Sequence, residues 1–204
     1  MKILICGVGA IGSNLAALLA CDLKGEHEIT VLDKDAIEER NVQAGTQFYQ
    51  KDQIGMSKVE ALQYNIYKWY ERNIDIEGES FLAWPVVLEN GLFDKQDFDL
   101  VIDCFDNQKA RQNLQDGWKE YGIEDEWSLL HLGFSDQFTF AIEWAENYQV
   151  PSDIKSDFDI CTMSGASSFV KMVASLGSLV IQEFIKDGKK MEFIGNKFTR
   201  REIK

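Results

Sequence analysis

Hydrophobic and polar positions along this chain switch between two periods. Short apolar runs at 2–6 (KILIC) and 28–33 (EITVLD) predict strands. Between them, IGSNLAALLAC places Ile11, Leu15, Leu18 and Leu19 at helical spacing. Residues 34–54 are polar and without a period, long for a loop, and loops of that length often carry function. IGMSKVEALQYNIYKWYERN then reads as a helix with Val59, Leu62, Ile66 and Trp69 on one face. GESFLAW (78–84) predicts a third strand and FDLVIDCFD (98–106) a fourth. The apolar centre of the fourth fits a strand covered on both faces, as in a parallel sheet. NQKARQNLQDGWKEYG is the helix that follows it.

The second half has a different rhythm. WSLLHLGFS and QFTFAIEWA predict two antiparallel strands joined at a Ser-Asp turn. Residues 146–163 form an acidic crossover, followed by a long helix at about 166–187. KKMEFI and KFTRREI, divided by Gly195-Asn196, predict a closing hairpin. No internal repeat is present. The predicted fold is α/β, a Rossmann-like doubly wound sheet, parallel in its first half with antiparallel strands in its second. One domain is expected over 1–204: a nucleotide-binding half at 1–115, and sheet completion, crossover loop and late helix at 116–204.

GVGAIG supplies Gly7, Gly9 and Gly12 in the G-x-G-x-x-G pattern, after a strand and at the head of a helix. The first glycine makes the turn, the second admits phosphate to the backbone, and the third packs helix on strand. Phosphate then rests on the free amides of the helix N-terminus. Asp33 ends the second strand, where a carboxylate accepts from ribose hydroxyls. Up to this point a nicotinamide-dependent oxidoreductase accounts for everything. It does not account for Asp35 and Asn41 so soon after Asp33.

DKDAIEERN, QFYQKDQIGMSKVEAL and VIDCFDNQKARQNL resemble the ThiF/MoeB/HesA family, the ubiquitin-activating-enzyme-like adenylating proteins. The match runs from residue 2 to about 115 and takes in Asp33, Asp35, Asn41, Gln47, Gly55, Lys58, Asp103, Asp106, Asn107 and Arg111 in order. The resemblance implies ATP and Mg²⁺ as cofactors. It implies an acyl-adenylate formed on the C-terminal carboxylate of a small ubiquitin-like or sulfur-carrier protein. By similarity Lys58 contacts the phosphates, Asp106 holds Mg²⁺, and Asp33 binds the ribose. Asp35, Asn41 and Gln47 belong to the loop and the phosphate side of the pocket. Arg111 is expected in a structural ion pair. Cys161, in the crossover before the late helix, matches the position of a thiol that receives the carrier in some members. A homodimer is also implied.

Two departures matter. Many members carry an arginine just after the position of Asn41; here NVQAGTQFY has none, and Arg40 is the nearest cation. The N-terminal helix whose arginine reaches a partner's site is not in this sequence. The alternatives are a non-catalytic ATP-binding ThiF-like partner protein and, less favoured, an NAD-dependent oxidoreductase.

Composition narrows the remaining classes. The 204 residues are 45% hydrophobic and 27% charged, a globular balance. A net charge of −13 repels phosphate backbones, so no nucleic acid partner is expected. MKILICGVGAIG lacks a basic start and a cleavage site, and the apolar stretch near 164–185 carries Lys171 with several Ser and Gly. No membrane partner and a cytoplasmic location are the expectations. The four cysteines form no C-x-x-C pair, so no structural zinc is expected. His27 and His131 have no partners by spacing and read as structural.

Overall fold

The computed structural model describes residues 1–24, 26–77, 98–122, 127–135, 138–151 and 165–196. Strands β1 (Lys2–Cys6), β2 (Glu28–Leu32), β3 (Asp75–Glu77), β4 (Leu100–Asp103), β5 (Ser128–Phe134), β6 (Thr139–Trp144) and β7 (Phe193–Asn196) form one sheet. Their order is β3-β2-β1-β4-β5-β6-β7. Pairing is parallel from β3 through β5 and antiparallel at β5–β6 and β6–β7. The helices are α1 (Ala10–Asp22), α2 (Glu39–Gln43), α3 (Lys58–Tyr70), α4 (Gln108–Gly117) and α5 (Ala166–Asp187).

Alternation along each central strand feeds two cores. Ile3, Ile5, Leu100, Ile102, Leu130 and Leu132 point into one, where Leu15 and Leu19 of α1, Leu62 and Ile66 of α3, and Val173 and Ile181 of α5 meet them. Leu4, Cys6, Val101 and Leu129 point into the other, closed by Leu114 and Trp118. A strand that must bury both faces has no polar side to show, hence the near-continuous apolar runs.

The late helix α5 is long and apolar enough to cross a membrane by length and composition. Here it packs beside α1, burying Phe169, Val170, Val173, Ala174, Val180 and Ile181. Gly177 permits close approach to the sheet: a Cβ there would lie 2.4 Å from Leu132 Cδ2 of β5. Asp22, at the end of α1, accepts from Ser178 Oγ at 3.2 Å and Gln182 Nε2 at 3.0 Å.

Several expectations need correction. Trp69 is 63% exposed; the buried stripe of α3 ends at Ile66, and the last turn of the helix faces solvent there. The strand beside β2 is β3, whose Asp-Ile-Glu has a single apolar residue and so gives no strand signal; its pairing with Thr30, Val31 and Leu32 makes it one. The strand expected at 78–84 lies outside the described residues. Gly195 and Asn196 do not turn. They continue β7, paired with Phe140 and Thr139, and the expected second hairpin arm lies outside the described residues. The long loop also contains structure the pattern did not show, α2 and a 3-10 turn at Lys51–Gln53.

Candidate nucleotide site

β1 lies between β2 and β4, so the chain winds away from this pair in both directions. A crevice opens outside the carboxyl ends of two such strands. Gly7 leaves β1 with φ +86°, a conformation that favours glycine. Its amide donates to Leu32 O at 2.8 Å. A Cβ on Gly12 would sit 1.9 Å from Gly7 O, so the helix can start this close to the turn only with glycine there. Gly9 is different: a Cβ would meet nothing within 4 Å. No side chain caps α1 at Gly9, and its first turn holds no acid. Its leading amides and dipole are left for an anion or for solvent.

Asp33 ties this turn to the following loop. Its Oδ2 accepts from Val8 N at 2.8 Å and its Oδ1 from Asp35 N at 2.9 Å. Burial raises its pKa, opposed by the Lys58 ammonium and the two amides. The loop then closes on itself: Ile37 N donates to Met56 O at 2.9 Å, Gly55 N to Ile37 O at 2.8 Å and Lys58 N to Asp35 O at 3.0 Å. That closure starts α3 beside the acids. Lys58 Nζ, in a residue only 7% exposed, stands 3.0 Å from Asp35 Oδ2 and 3.9 Å from Asp33 Oδ1. Asp33, Asp35 and Lys58, chosen from the sequence, are thus brought together.

The other loop residues are placed as follows. Asn41 is buried and caps α2, its Oδ1 accepting from Glu38 N at 2.7 Å. Gln47 lies between two residues bound to the first turns of α1: Thr46 O accepts from Asn14 Nδ2 at 2.8 Å, and Phe48 N donates to Ser13 Oγ at 3.1 Å. Gln47 Oε1 is buried without a hydrogen-bond partner among the described residues. Arg40 Nε pairs with Glu38 Oε2 at 2.6 Å, both side chains exposed. Tyr49 escaped the sequence reading; its hydroxyl donates to Val8 O at 2.7 Å and buttresses the glycine turn.

Asp106 is exposed in the turn between β4 and α4, and its carboxylate has no hydrogen bond or ion pair among the described residues. Asn107 beside it is an N-cap, accepting from Ala110 N at 2.8 Å. No group of three or more His, Cys, Asp or Glu residues is placed to hold a metal among the described residues. Cys161 lies outside the described residues.

Beneath this turn is a buried polar cluster that spacing could not reveal. Asp103 and His131 face each other on paired strands, with His131 Nδ1 2.7 Å from Asp103 Oδ2. Arg111 Nη1 stands 3.6 Å from the same oxygen, the ion pair expected of it. Burial alone would raise Asp103; Arg111 and the His131 hydrogen bond overcome it and hold the carboxyl below its usual range. Burial pushes His131 down, against the pull of Asp103. His131 Nε2 lies 2.7 Å from Gln115 Oε1, while Gln115 Nε2 donates to Ala145 O at 2.8 Å. Both ring nitrogens meet oxygens, a demand for N–H donors that works against burial. The ionised Asp103 fixes Nδ1 as a donor.

The strand order, the crevice at the sheet's reversal point and the glycine turn define a Rossmann-like α/β protein. The chain belongs to the ThiF family, whose profile matches residues 1–199. Ubiquitin-like modifier-activating enzyme 5 of Xenopus laevis is 31% identical over 132 residues, 58% of this chain and 31% of that protein. The same enzyme of Drosophila mojavensis is 29% identical over 147 residues, 64% of this chain and 35% of that protein. The chain therefore spans about a third of the length of these relatives. Among solved structures, Escherichia coli MccB with ATP superposes with a TM-score of 0.68 at 16% identity, covering 96% of this chain and 62% of that one. PaaA gives 0.68 at 18% identity, covering 98% and 62%.

Two predictions follow from this geometry. Gly12→Ala forces apart the turn and the helix and lowers the melting temperature sharply. Gly9→Ala melts with the wild type but binds nucleotide about tenfold more weakly, ~1.4 kcal/mol, because its methyl group enters the open space over the helix start. Calorimetry beside a thermal melt separates them. The second concerns acid. Asp103 has a lowered folded pKa, so its contribution is complete above the unfolded value of about 3.9 and is lost as pH falls through the folded one. Lowered His131 adds a loss that begins as pH falls below about 6.5. Asp103→Asn removes the first loss and costs about 3–5 kcal/mol near neutrality, since Arg111 is left buried without its counter-ion. Denaturant unfolding across a pH series checks both.

Proposed function

We propose that this chain is an ATP- and Mg²⁺-dependent adenylating domain. It activates the C-terminal carboxylate of a small ubiquitin-like or sulfur-carrier protein. One observation carries the reading: Asp33 is hydrogen-bonded to the glycine turn while the buried Lys58 ammonium stands 3.9 Å behind it. A nicotinamide site needs the glycines and the acid but has no use for that cation. The family membership and the ATP held by MccB support the same choice.

In the reaction, a carboxylate oxygen of the carrier attacks the α-phosphorus. The bond from that phosphorus to the bridging oxygen breaks, and pyrophosphate leaves with the electron pair. Two anions must approach each other, so fixed positive charge has to be in place beforehand. The uncapped amides of α1 and the Lys58 ammonium supply it. Gln47 Oε1, without a hydrogen-bond partner among the described residues, is an acceptor suited to an adenosine hydroxyl or amine. Asp106, exposed and without a partner among the described residues, suits Mg²⁺, which binds through one or two carboxylates plus phosphate oxygens and offsets triphosphate charge when present. Cys161 is the candidate acceptor thiol for onward transfer.

We read 1–204 as one adenylation domain, with nucleotide held by 1–115 and the sheet completed by 116–204, working in the cytoplasm where ATP is abundant. Its working state is a homodimer. Met172 and Leu179 on the outward side of α5 supply apolar surface for it. With no arginine at 42–47 and Arg40 Nε engaged by Glu38, one second reading is nucleotide binding without adenylation.

The test is ATP–pyrophosphate exchange with a carrier ending in Gly-Gly. Wild type exchanges; Lys58→Met and Asp106→Asn each lose about 10²–10³-fold. Cys161→Ala keeps exchange but forms no thioester. ATP binding with no exchange selects the second reading, and binding of NAD⁺ but not ATP rejects both. Separately, sedimentation gives twice the monomer mass of 23.3 kDa; a monomer at high concentration removes the dimer.

A further inference from the structure

We propose that His131 is a positioning residue for the turn that carries Asp106. The inference rests on the reading of Asp106 as the magnesium-holding carboxylate.

The residue before Asp106 is held at both of its peptide groups. Phe105 N donates to Asp103 Oδ1 at 2.9 Å. Phe105 O accepts from Arg111 Nε at 2.7 Å. The direction in which Asp106 leaves the chain is therefore set by Asp103 and Arg111. The same turn abuts the phosphate loop: a Cβ on Gly7 would lie 3.0 Å from Cys104 O and 3.1 Å from Phe105 Cδ1. A small rotation at Phe105 would move Asp106 against the glycine turn.

Asp103 can serve as a strut only if its own carboxylate cannot turn. One oxygen holds Phe105. The other is held by His131 Nδ1 at 2.7 Å, with Arg111 Nη1 at 3.6 Å. His131 in turn is immobile. It is fully buried on β5, its Nε2 is 2.7 Å from Gln115 Oε1, and its ring stacks on Tyr148 with centroids 3.8 Å apart and planes at 17°. Tyr148 accepts from Arg111 Nη1 at 2.9 Å, and Arg111 Nη2 donates to Leu132 O at 2.9 Å. The guanidinium lies over Gly133, where a Cβ would come within 3.1 Å of its nitrogens. The frame that aims Asp106 is thus anchored in β5, on strands that belong to the packed sheet.

Burying an ion pair and a histidine together is a costly way to add stability, and apolar residues of like volume often do as well. Such groups set orientation more cheaply than they set stability. Partners behind a metal ligand commonly change metal affinity about 10–100-fold when removed.

The test compares two variants by calorimetry, each titrated with ATP in the presence and absence of Mg²⁺. His131→Asn puts its amide nitrogen where Nδ1 stands and keeps a donor to Asp103. His131→Gln puts its amide nitrogen near Nε2 and abandons Asp103. Thermal melts establish a temperature at which all three proteins are folded. The expected result is a wild-type gain in ATP affinity on adding Mg²⁺ that survives in His131→Asn. In His131→Gln that gain falls about tenfold, with Mg²⁺-free affinity unchanged. If His131→Gln melts earlier yet keeps the full gain, His131 is merely structural and the proposal is overturned. If both variants lose the gain equally, the Asp103 contact is not the means and the proposal is again overturned. If wild-type protein shows no Mg²⁺-dependent gain at all, the metal reading of Asp106 fails and takes this one with it.

Discussion

The carboxylate of Asp33 is the joint on which the site depends. One oxygen fixes the Val8 amide in the glycine turn, and the other fixes the Asp35 amide at the start of the loop. Without that bridge, the turn after β1 and the loop after β2 would be separate pieces of chain at the same sheet edge. With it, the loop's return to Lys58 is referenced to the glycines within a few ångströms. A carboxylate suits this work because each oxygen has two lone pairs, so accepting an amide does not exhaust it. The cost is burial of an acid, and the nearby ammonium offsets part of that cost.

Two charged groups on the second wall solve a similar problem differently. Asp103 and Arg111 are buried beside β5, where desolvation is large and removal of either partner leaves a bare charge. Lys58 and Asp35 are arranged more loosely, since the Asp35 side chain is 55% exposed. One wall is rigid and holds a turn in place. The other encloses its cation but leaves one of the two acids that hold it open to water.

Much of this was legible in the sequence, and the boundary follows physical lines. Gly7 and Gly12 could be read because the backbone itself demands glycine at those points. The two-period pattern gave β1, α1, β2 and β4, since each buries a face set by its own geometry. Lys58 and Asp106 were reached by family resemblance, and their spacing says nothing about burial. β3 was missed because Asp-Ile-Glu becomes a strand only through its neighbour. The His131–Asp103–Gln115 chain was missed because three elements bring it together across 16 to 28 residues of sequence, and a histidine in an apolar strand carries no mark of its partner. Trp69 departs from the expected face because helical spacing continues after burial has ended at Ile66.

The pair of acids after β2 now has a physical account. Asp33 is committed to the backbone and nearly enclosed, so it cannot move without opening the loop. Asp35 has one oxygen on Lys58 and an exposed side chain, so water screens its end of the pair and weakens it. A carboxylate so weakly held keeps the ammonium oriented while the site is empty. A triphosphate carries more charge than one carboxylate and can take the ammonium from Asp35 at little cost. Had both acids been buried, the cation would have been locked to them; had neither been present, a lysine this enclosed would have had no counter-ion beside it. One fixed acid and one replaceable acid keep Lys58 paired and free to change partners.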